Sequence, residues 1–448
     1  MESNDASPFT PINDPKIING WAMFDWANSA YALVITTAIF PLYFNSTVDE
    51  SFTFLGIPMT NTALFSYSIS FAYIVIALSL PILSGIADYG GKKLSFMKFF
   101  TTLGSVACIS LFFFTSMANL WLGVLGFVLA IIGFAGGQVF YNSYLPEIAS
   151  EDKLDTVSAK GFAYGYVGSV LLLITNLMII QNPTWFGLDK LVELGPAWLF
   201  GDNATTLAVR IAFIMVGFWW LGFSQTSFRR LPDNKNDNPL NNIMSKGYQE
   251  LKKVWQAVQQ QTYTKRFLFS FFCYSAGVQT TIYLASTFAT DELNFDGTEL
   301  IIVVLILQIV AIGGAYLFAK TSSIWGNKNT LIVILMIWIG VCLSGYFVQG
   351  KVAFYAVAAA VGLVMGGVQS LSRSTYSKLI PQNTKDTASY FSFYDVLEKA
   401  AIVIGTFVFG FTDQLLGGMR NSMLALTIFF ILGIVILFTV KVENREPV

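Results

Sequence analysis

Residues 19–44 read NGWAMFDWANSAYALVITTAIFPLYF. Asp25 is the sole charge in this run. About 20 mostly apolar residues cross the hydrocarbon core of a bilayer as a helix. A buried strand would be far shorter, and a half-buried one would alternate polar and apolar positions. The run therefore predicts a membrane-spanning helix with an acid inside it. Further apolar runs follow at 63–87, 94–116, 119–144, 159–181 and 206–227. After a polar stretch at 228–264, six more occupy 265–289, 298–319, 329–349, 352–377, 389–412 and 421–440. The pattern is six spans, a break, and six spans.

Composition agrees. Of the 448 residues, 54% are hydrophobic and 12% charged, against roughly 25% charge in a soluble domain. Mean hydropathy is +0.61. A soluble enzyme, a disordered chain and a disulfide-built secreted domain are set aside. Continuous rather than alternating apolar runs argue against a β-barrel. Histidine is absent, so no Ser-His triad, His-based zinc site or imidazole relay can be built. Cys108, Cys273 and Cys342 lie inside apolar runs without metal or disulfide spacing. No metal or cofactor is expected. A net charge of -1 gives no reason to expect nucleic acid, and no phosphate-binding glycine loop suggests an ATP-driven pump.

Lys and Arg set the orientation. Connecting segments at one end hold twenty-one of the 26 basic residues. The other end holds Lys190, Arg210, Lys351 and Arg420, and Lys399 lies within a span. Both termini are thus expected on the cytoplasmic side, in a bacterial inner membrane. The expected organisation is a tail at 1–19, six helices over 20–227, a linker at 228–264, six helices over 265–440, and a tail at 441–448. Residues 1–19 are polar, with no basic start and apolar core, and read as a tail rather than a signal peptide. In the linker, Met244, Tyr248, Leu251, Trp255 and Val258 recur at helical spacing beside Lys252 and Lys253. That suits an amphipathic helix on the membrane surface; a solvated linker with some helix is the plainer alternative.

The few polar residues inside the spans concentrate in particular ones. Span 1 carries Asp25, Asn28 and Ser29; span 4, Gln138 and Asn142; span 7, Gln279 and Tyr283; span 10, Gln369 and Arg373; span 11, Asp395, Glu398 and Lys399. Gln308 lies in span 8. Ionisable groups in hydrocarbon cost about 2.5–3.5 kcal/mol each on insertion scales, so they face a bundle interior or a watery cavity. Spans 1, 4, 7 and 10 around a cavity, with 3, 6, 9 and 12 toward lipid, is the layout of a twelve-helix secondary transporter. Gly136-Gly137 before Gln138 and Gly366-Gly367 before Gln369 look like one element repeated in both halves. Asp395 and Lys399 are spaced i, i+4, which permits an ion pair. Plainer readings stand beside these. Asn28, Gln138 and Gln308 suit simple interhelical bonding, and Arg373 could snorkel to the surface. Asp25 and the Asp395, Glu398, Lys399 group could serve gating or packing. Gly161, Gly165 and Gly168 read as close helix packing.

Between spans 2 and 3 the chain reads Ser84-Gly85-Ile86-Ala87-Asp88-Tyr89-Gly90-Gly91-Lys92-Lys93. This resembles the inner-loop signature of the major facilitator superfamily. The resemblance implies a gate built on Asp88, Gly91 and Lys92, with Asp88 meeting a helix N-terminus of the other half. The matching loop after span 8 has Ser323 where the acid would sit, so an asymmetric lock is expected. The 19–44 string, YSAGVQTTIYLA in span 7 and SYFSFYDVLEKAAIVIGTFVFG in span 11 are similar to the vacuole-effluxer branch of that superfamily. That resemblance covers most of the chain. It implies an all-α major-facilitator-type bundle of twelve transmembrane helices in two pseudo-symmetric halves. Its fungal members are linked to amino-acid efflux from the vacuole, which implies small zwitterionic substrates. Many relatives carry an acid where this chain has Ala276, so coupling at that position is absent here.

The expectation is a monomeric secondary transporter in the bilayer, not an enzyme, exporting or exchanging a small polar metabolite by alternating access. The candidate substrate residues are Asn28, Gln138, Asn142, Gln279, Tyr283, Gln369 and Arg373. Without histidine a proton carrier must be a carboxylate: Asp25 first, then Asp395 or Glu398. Asp88, Gly91, Lys92 and Lys399 are the gate candidates. Arg373 offers a two-point grip on a carboxylate. An uncoupled facilitator and a non-transporting sensor with a transporter fold are the alternatives.

Overall fold

The computed structural model describes residues 11–54, 56–233, 242–382, 384–416 and 418–442. Residues 1–10 of the expected first tail, 234–241 of the linker and 443–448 of the last tail lie outside the described residues. Among the described residues, twelve long helices form the bundle, numbered here in chain order. The first half holds α1 (Pro15–Thr47), α2 (Asn61–Gly90), α3 (Lys93–Ser110), α4 (Leu120–Ser143), α5 (Leu154–Gln181) and α6 (Ala204–Arg230). The second holds α7 (Thr262–Leu293), α8 (Gly297–Trp325), α9 (Asn327–Phe347), α10 (Lys351–Leu379), α11 (Thr387–Leu416) and α12 (Met419–Phe438).

Local chemistry sets the helix ends. Asp14 caps α1 by accepting from the Lys16 N–H at 2.7 Å, and Pro15 takes the first position, where its missing N–H costs nothing. Gly91 ends α2 at φ 59, a left-handed conformation suited to glycine. Asp296 and Glu299 form a capping box on α8. Inside α1, Tyr31–Ile39 winds as a π-helix just before Pro41. Proline cannot donate to the preceding turn, which helps explain the altered ladder.

Among the described residues, eleven helices are long and apolar enough to cross a membrane. The exception is α11, whose 30 residues include Asp395, Glu398, Lys399 and Asp413. It nonetheless packs within the bundle, against α2, α4, α7 and α12. The two halves repeat one packing scheme. In the first half α1 packs on α5 and α6, α3 on α4 and α6, and α2 on α4. Each pair recurs six helices later: α7 with α11 and α12, α9 with α10 and α12, α8 with α10. The halves meet through α2 with α11 and α5 with α8, and also through α4 with α11 and α5 with α10. The closest packing of α3, α6, α9 and α12 stays within their own halves.

Both described termini lie at the Lys/Arg-rich end, called the basic end below. Asn13 donates to the Ile148 carbonyl at 2.8 Å, and Lys328 at the start of α9 reaches the Phe438 carbonyl at 2.7 Å. The opposite end carries a hairpin of β1 (Ser51–Phe54) and β2 (Ile57–Thr60) and short helices between 183 and 200. Arg210 in α6 ties that end together. It is 2% exposed and donates to the carbonyls of Phe112 at 2.7 Å and Leu199 at 2.8 Å.

The linker contains a helix over Ile243–Gln260. Its apolar stripe is divided rather than continuous. Gly247, Val254 and Val258 are buried, while Met244, Tyr248 and Trp255 are exposed. Gly247 sits so close to α2 that a Cβ on Gly85 would lie 2.2 Å from its carbonyl oxygen.

Candidate functional site

At the basic end the two halves are locked in two places. Asp88, near the end of α2, accepts hydrogen bonds from the Ala388 and Ser389 N–H groups at 3.2 and 2.7 Å. These belong to the first turn of α11, where the helix dipole and free N–H groups favour an anion. Lys93 lies 3.6 Å from Asp88, donates to Thr387 Oγ1 at 2.6 Å and pairs closely with Glu147. Gly91 makes the turn that carries the chain into Lys93. Lys92, expected in the gate, is the helix cap and half-buried. Its neighbour Lys93 makes the ion pairs, because one further residue rotates the side chain into the interface.

The second lock inverts the first. Asp155, in the first turn of α5, accepts from Ser322 Oγ at 2.9 Å, Asn327 Nδ2 at 2.7 Å and Lys378 Nζ at 2.8 Å. The loop after α8 lacks an acid, and the helix it meets supplies one. The bonded serine is Ser322, one position before the expected Ser323, which instead bonds the Lys320 carbonyl.

Deeper in the bundle lies a buried cross-half ion pair. Arg373 Nη1 on α10 is 3.6 Å from Asp25 Oδ2 on α1, with side chains 3% and 2% exposed. Arg373 also donates to Asn142 Oδ1 at 3.1 Å, Ser158 Oγ at 3.0 Å and the Ser158 carbonyl at 2.8 Å. The rings of Trp21, Tyr141 and Phe162 pack on its guanidinium, with centroids at 4.8, 5.3 and 4.1 Å. Asp25 accepts from Ser29 Oγ at 2.9 Å and Tyr141 OH at 3.1 Å. Glycines on α5 make room. A Cβ on Gly161 would lie 2.9 Å from Arg373 Nη2, and one on Gly165 would lie 2.7 Å from Ser29 Oγ. Arg373 does not snorkel. Gln369, one turn before it, accepts from Tyr166 OH across the halves at 2.6 Å.

A separate group centres on α11. Lys399 Nζ donates to Glu398 Oε2 at 2.8 Å and lies 3.7 Å from Asp395 Oδ1. Gln279 on α7 donates to the other Glu398 oxygen at 3.1 Å. Lys399 lies over the Tyr73 ring at 5.8 Å, and Tyr73 OH is 3.4 Å from Tyr283 OH. The Asp395 Oδ2 atom is buried without a hydrogen-bond partner. Lys399 is therefore placed with the acids rather than at the gate, about 15 Å along α11 from Ser389 at 1.5 Å per residue.

The expected residues thus divide. Arg373, Asn142 and Asp25 come together in the cross-half pair, with Gln369 bonded to Tyr166 one turn away, while Gln279, Tyr283, Asp395, Glu398 and Lys399 form the α11 group. Asn28 is fully buried with neither amide atom bonded, and Gln138 is half-buried on α4. Sequence reading missed Lys93, Glu147, Asp155 and Ser158. The signal available for Asp155 was its place in an acid-rich helix start, Glu151-Asp152-Lys153-Leu154-Asp155.

Comparison with known proteins agrees with this architecture. The family described as "Vacuole effluxer Atg22 like" matches residues 13–447. The MFS-type transporter YxiO of Bacillus subtilis is 31% identical over 96% of this chain and 96% of its own. Autophagy-related protein 22 of Kluyveromyces lactis is 23% identical, covering 98% and 96%. Among solved structures, the transporter FucP in the outward conformation superposes with TM-score 0.69 at 14% identity, over 95% of this chain and 99% of that one. The human organic anion transporter MFSD10 gives 0.67 at 10% identity, over 94% and 99%. This chain belongs to the Atg22-like family of the major facilitator superfamily, and is a multi-pass membrane transporter rather than an enzyme.

Proposed function

We propose that the protein exports or exchanges a small polar metabolite, amino acids foremost, by proton-coupled alternating access. The basic end faces the cytoplasm, in keeping with the Lys/Arg bias. The state described is then closed toward the cytoplasm by the Asp88 and Asp155 locks and the Asp25–Arg373 pair. The observation that carries the coupling is the α11 group, where one ammonium serves two carboxylates and Asp395 Oδ2 has no partner. An uncompensated negative charge inside a bundle costs several kcal/mol. A proton, or the ammonium of a solute, relieves that cost. Asp25 suits proton carriage less well than the sequence suggested, because Ser29, Tyr141 and Arg373 already engage both its oxygens.

Opening toward the cytoplasm separates Arg373 from Asp25. The freed guanidinium can then take a solute carboxylate in place of the internal one, in keeping with an amino acid as cargo. The family description as effluxers supports export. The test is efflux from proteoliposomes loaded with mixed amino acids under an imposed pH gradient. Selective loss of some amino acids, faster with inward-directed protons, is expected. Equal retention of all of them by protein-containing and empty vesicles sinks the proposal.

A further inference from the structure

The linker helix touches both halves of the bundle, and its two flanks meet different depths of α11. On one flank Lys253 Nζ donates to Asp386 at 3.0 Å, one residue before α11 begins. On the other, the Trp255 ring packs on Phe393 with centroids 5.3 Å apart. Phe393 lies seven residues beyond Asp386, so about 10 Å deeper along α11 at 1.5 Å per residue. The flank of Trp255 therefore points into the bilayer, and the flank of Lys253 points to water. Tyr248 and Met244 lie about two and three turns before Trp255, and all three are exposed, at 60%, 68% and 49%. Lys252, also exposed, borders this stripe. Aromatic rings beside lysine suit the headgroup boundary of an anionic bilayer.

The helix is also fixed to the first half. At the Gly85–Gly247 crossing, backbone meets backbone, and a Cβ on Gly247 would lie 2.8 Å from the Ile86 nitrogen. Gly85 is five residues inside the end of α2, so the crossing lies about 7.5 Å along that helix from its basic end. Gln261 adds a bond to Tyr390 OH at 3.2 Å on α11. One helix thus joins α2 to α11 beside the Asp88 lock.

We infer that helix Ile243–Gln260 is a clamp seated in the bilayer surface, and that anionic headgroups hold it there and so favour closure of the basic end. A bilayer without anionic lipid seats the helix less firmly, and the α2–α11 contact opens more often. The inference does not depend on which solute is moved.

The test uses the full chain in vesicles of phosphatidylcholine, with and without phosphatidylglycerol. The native cysteines are buried, so new cysteines can be labelled selectively. A fluorophore at Tyr248→Cys should be quenched by nitroxide-bearing lipid several-fold more than one at Gln256→Cys, which faces water. Spin labels at Lys153→Cys and Gln382→Cys report opening of the basic end. The short separation should predominate with phosphatidylglycerol and decline without it. Lys253→Ala with Trp255→Ser should abolish that lipid dependence, and the milder Lys253→Gln should weaken it while preserving the fold. Equal quenching at both probe sites overturns the bilayer seat. A label separation that ignores both lipid and variant overturns the clamp.

Discussion

Replacing Asp25 with Asn tests the latch reading at its centre. The substitution keeps side-chain volume and hydrogen-bonding capacity but leaves the Arg373 charge without its carboxylate. Both side chains are nearly excluded from solvent, at 3% and 2% exposure. Removing one partner of a buried pair costs about 3–5 kcal/mol. Arg373 keeps its bonds to Asn142 and Ser158 and its three rings, which places the loss near the lower bound. About 3 kcal/mol is roughly a hundred-fold change in an equilibrium, at about 1.4 kcal/mol per tenfold. That loss falls on the state closed at the basic end, because opening returns Arg373 to water. Spin labels at Lys153→Cys and Gln382→Cys, read in nanodiscs, should shift from a short to a long separation. Asp25→Asn with Arg373→Gln removes both charges and should recover much of the short population, since neighbouring sites are non-additive. A distance distribution unchanged in Asp25→Asn, with the protein still folded, refutes the latch.

Other expectations follow from the same geometry. Asp88→Ala removes the acceptor for two N–H groups of α11 and should weaken closure by about 1–2 kcal/mol, as loss of a helix cap does, read by the same label pair. Arg210→Ala leaves the Phe112 and Leu199 carbonyls without their donor, at about 1–3 kcal/mol for an unsatisfied buried group. It should lower the melting temperature in detergent without changing the label separation. Gly161→Leu places atoms where Arg373 and Tyr141 now lie and should prevent closure, which protease access at the basic end would report. The hydrogen bond to Asp386 raises Lys253 above the ordinary lysine range. Its contribution is full at neutral pH and is lost only as pH rises past that raised value, beyond about 10.4. The fluorescence of the Tyr248→Cys label should therefore stay constant between neutral and mildly alkaline pH.

The helices were legible because membrane spans declare themselves by length and apolarity. The Gly136-Gly137 and Gly366-Gly367 elements marked the repeat, and both now lie on equivalent helices, α4 and α10. Even α11, with Asp395, Glu398 and Lys399 inside it, was readable as the apolar run at 389–412. The site was less legible, for a physical reason. A polar residue in a span signals that it faces protein or water, not which partner it meets. Arg373 and Asp25 were both visible, but their pairing depends on α10 and α1 meeting across the halves. The same limit hid Asp155 and Lys93, which look like ordinary interfacial charges until their partners 167 and 54 residues away are known. The division of the linker stripe arose from a close backbone crossing at Gly85, which periodicity does not encode.

The most direct test of the central claim is amino-acid efflux from proteoliposomes with and without an inward-directed proton gradient, comparing the unaltered protein with Asp395→Asn and Glu398→Gln. The gradient should accelerate efflux by the unaltered protein. At least one of the variants should keep exchange at equal pH while losing that acceleration. Acceleration undiminished in both variants would contradict the assignment of coupling to α11, and no protein-dependent flux of any amino acid would contradict the transport reading itself.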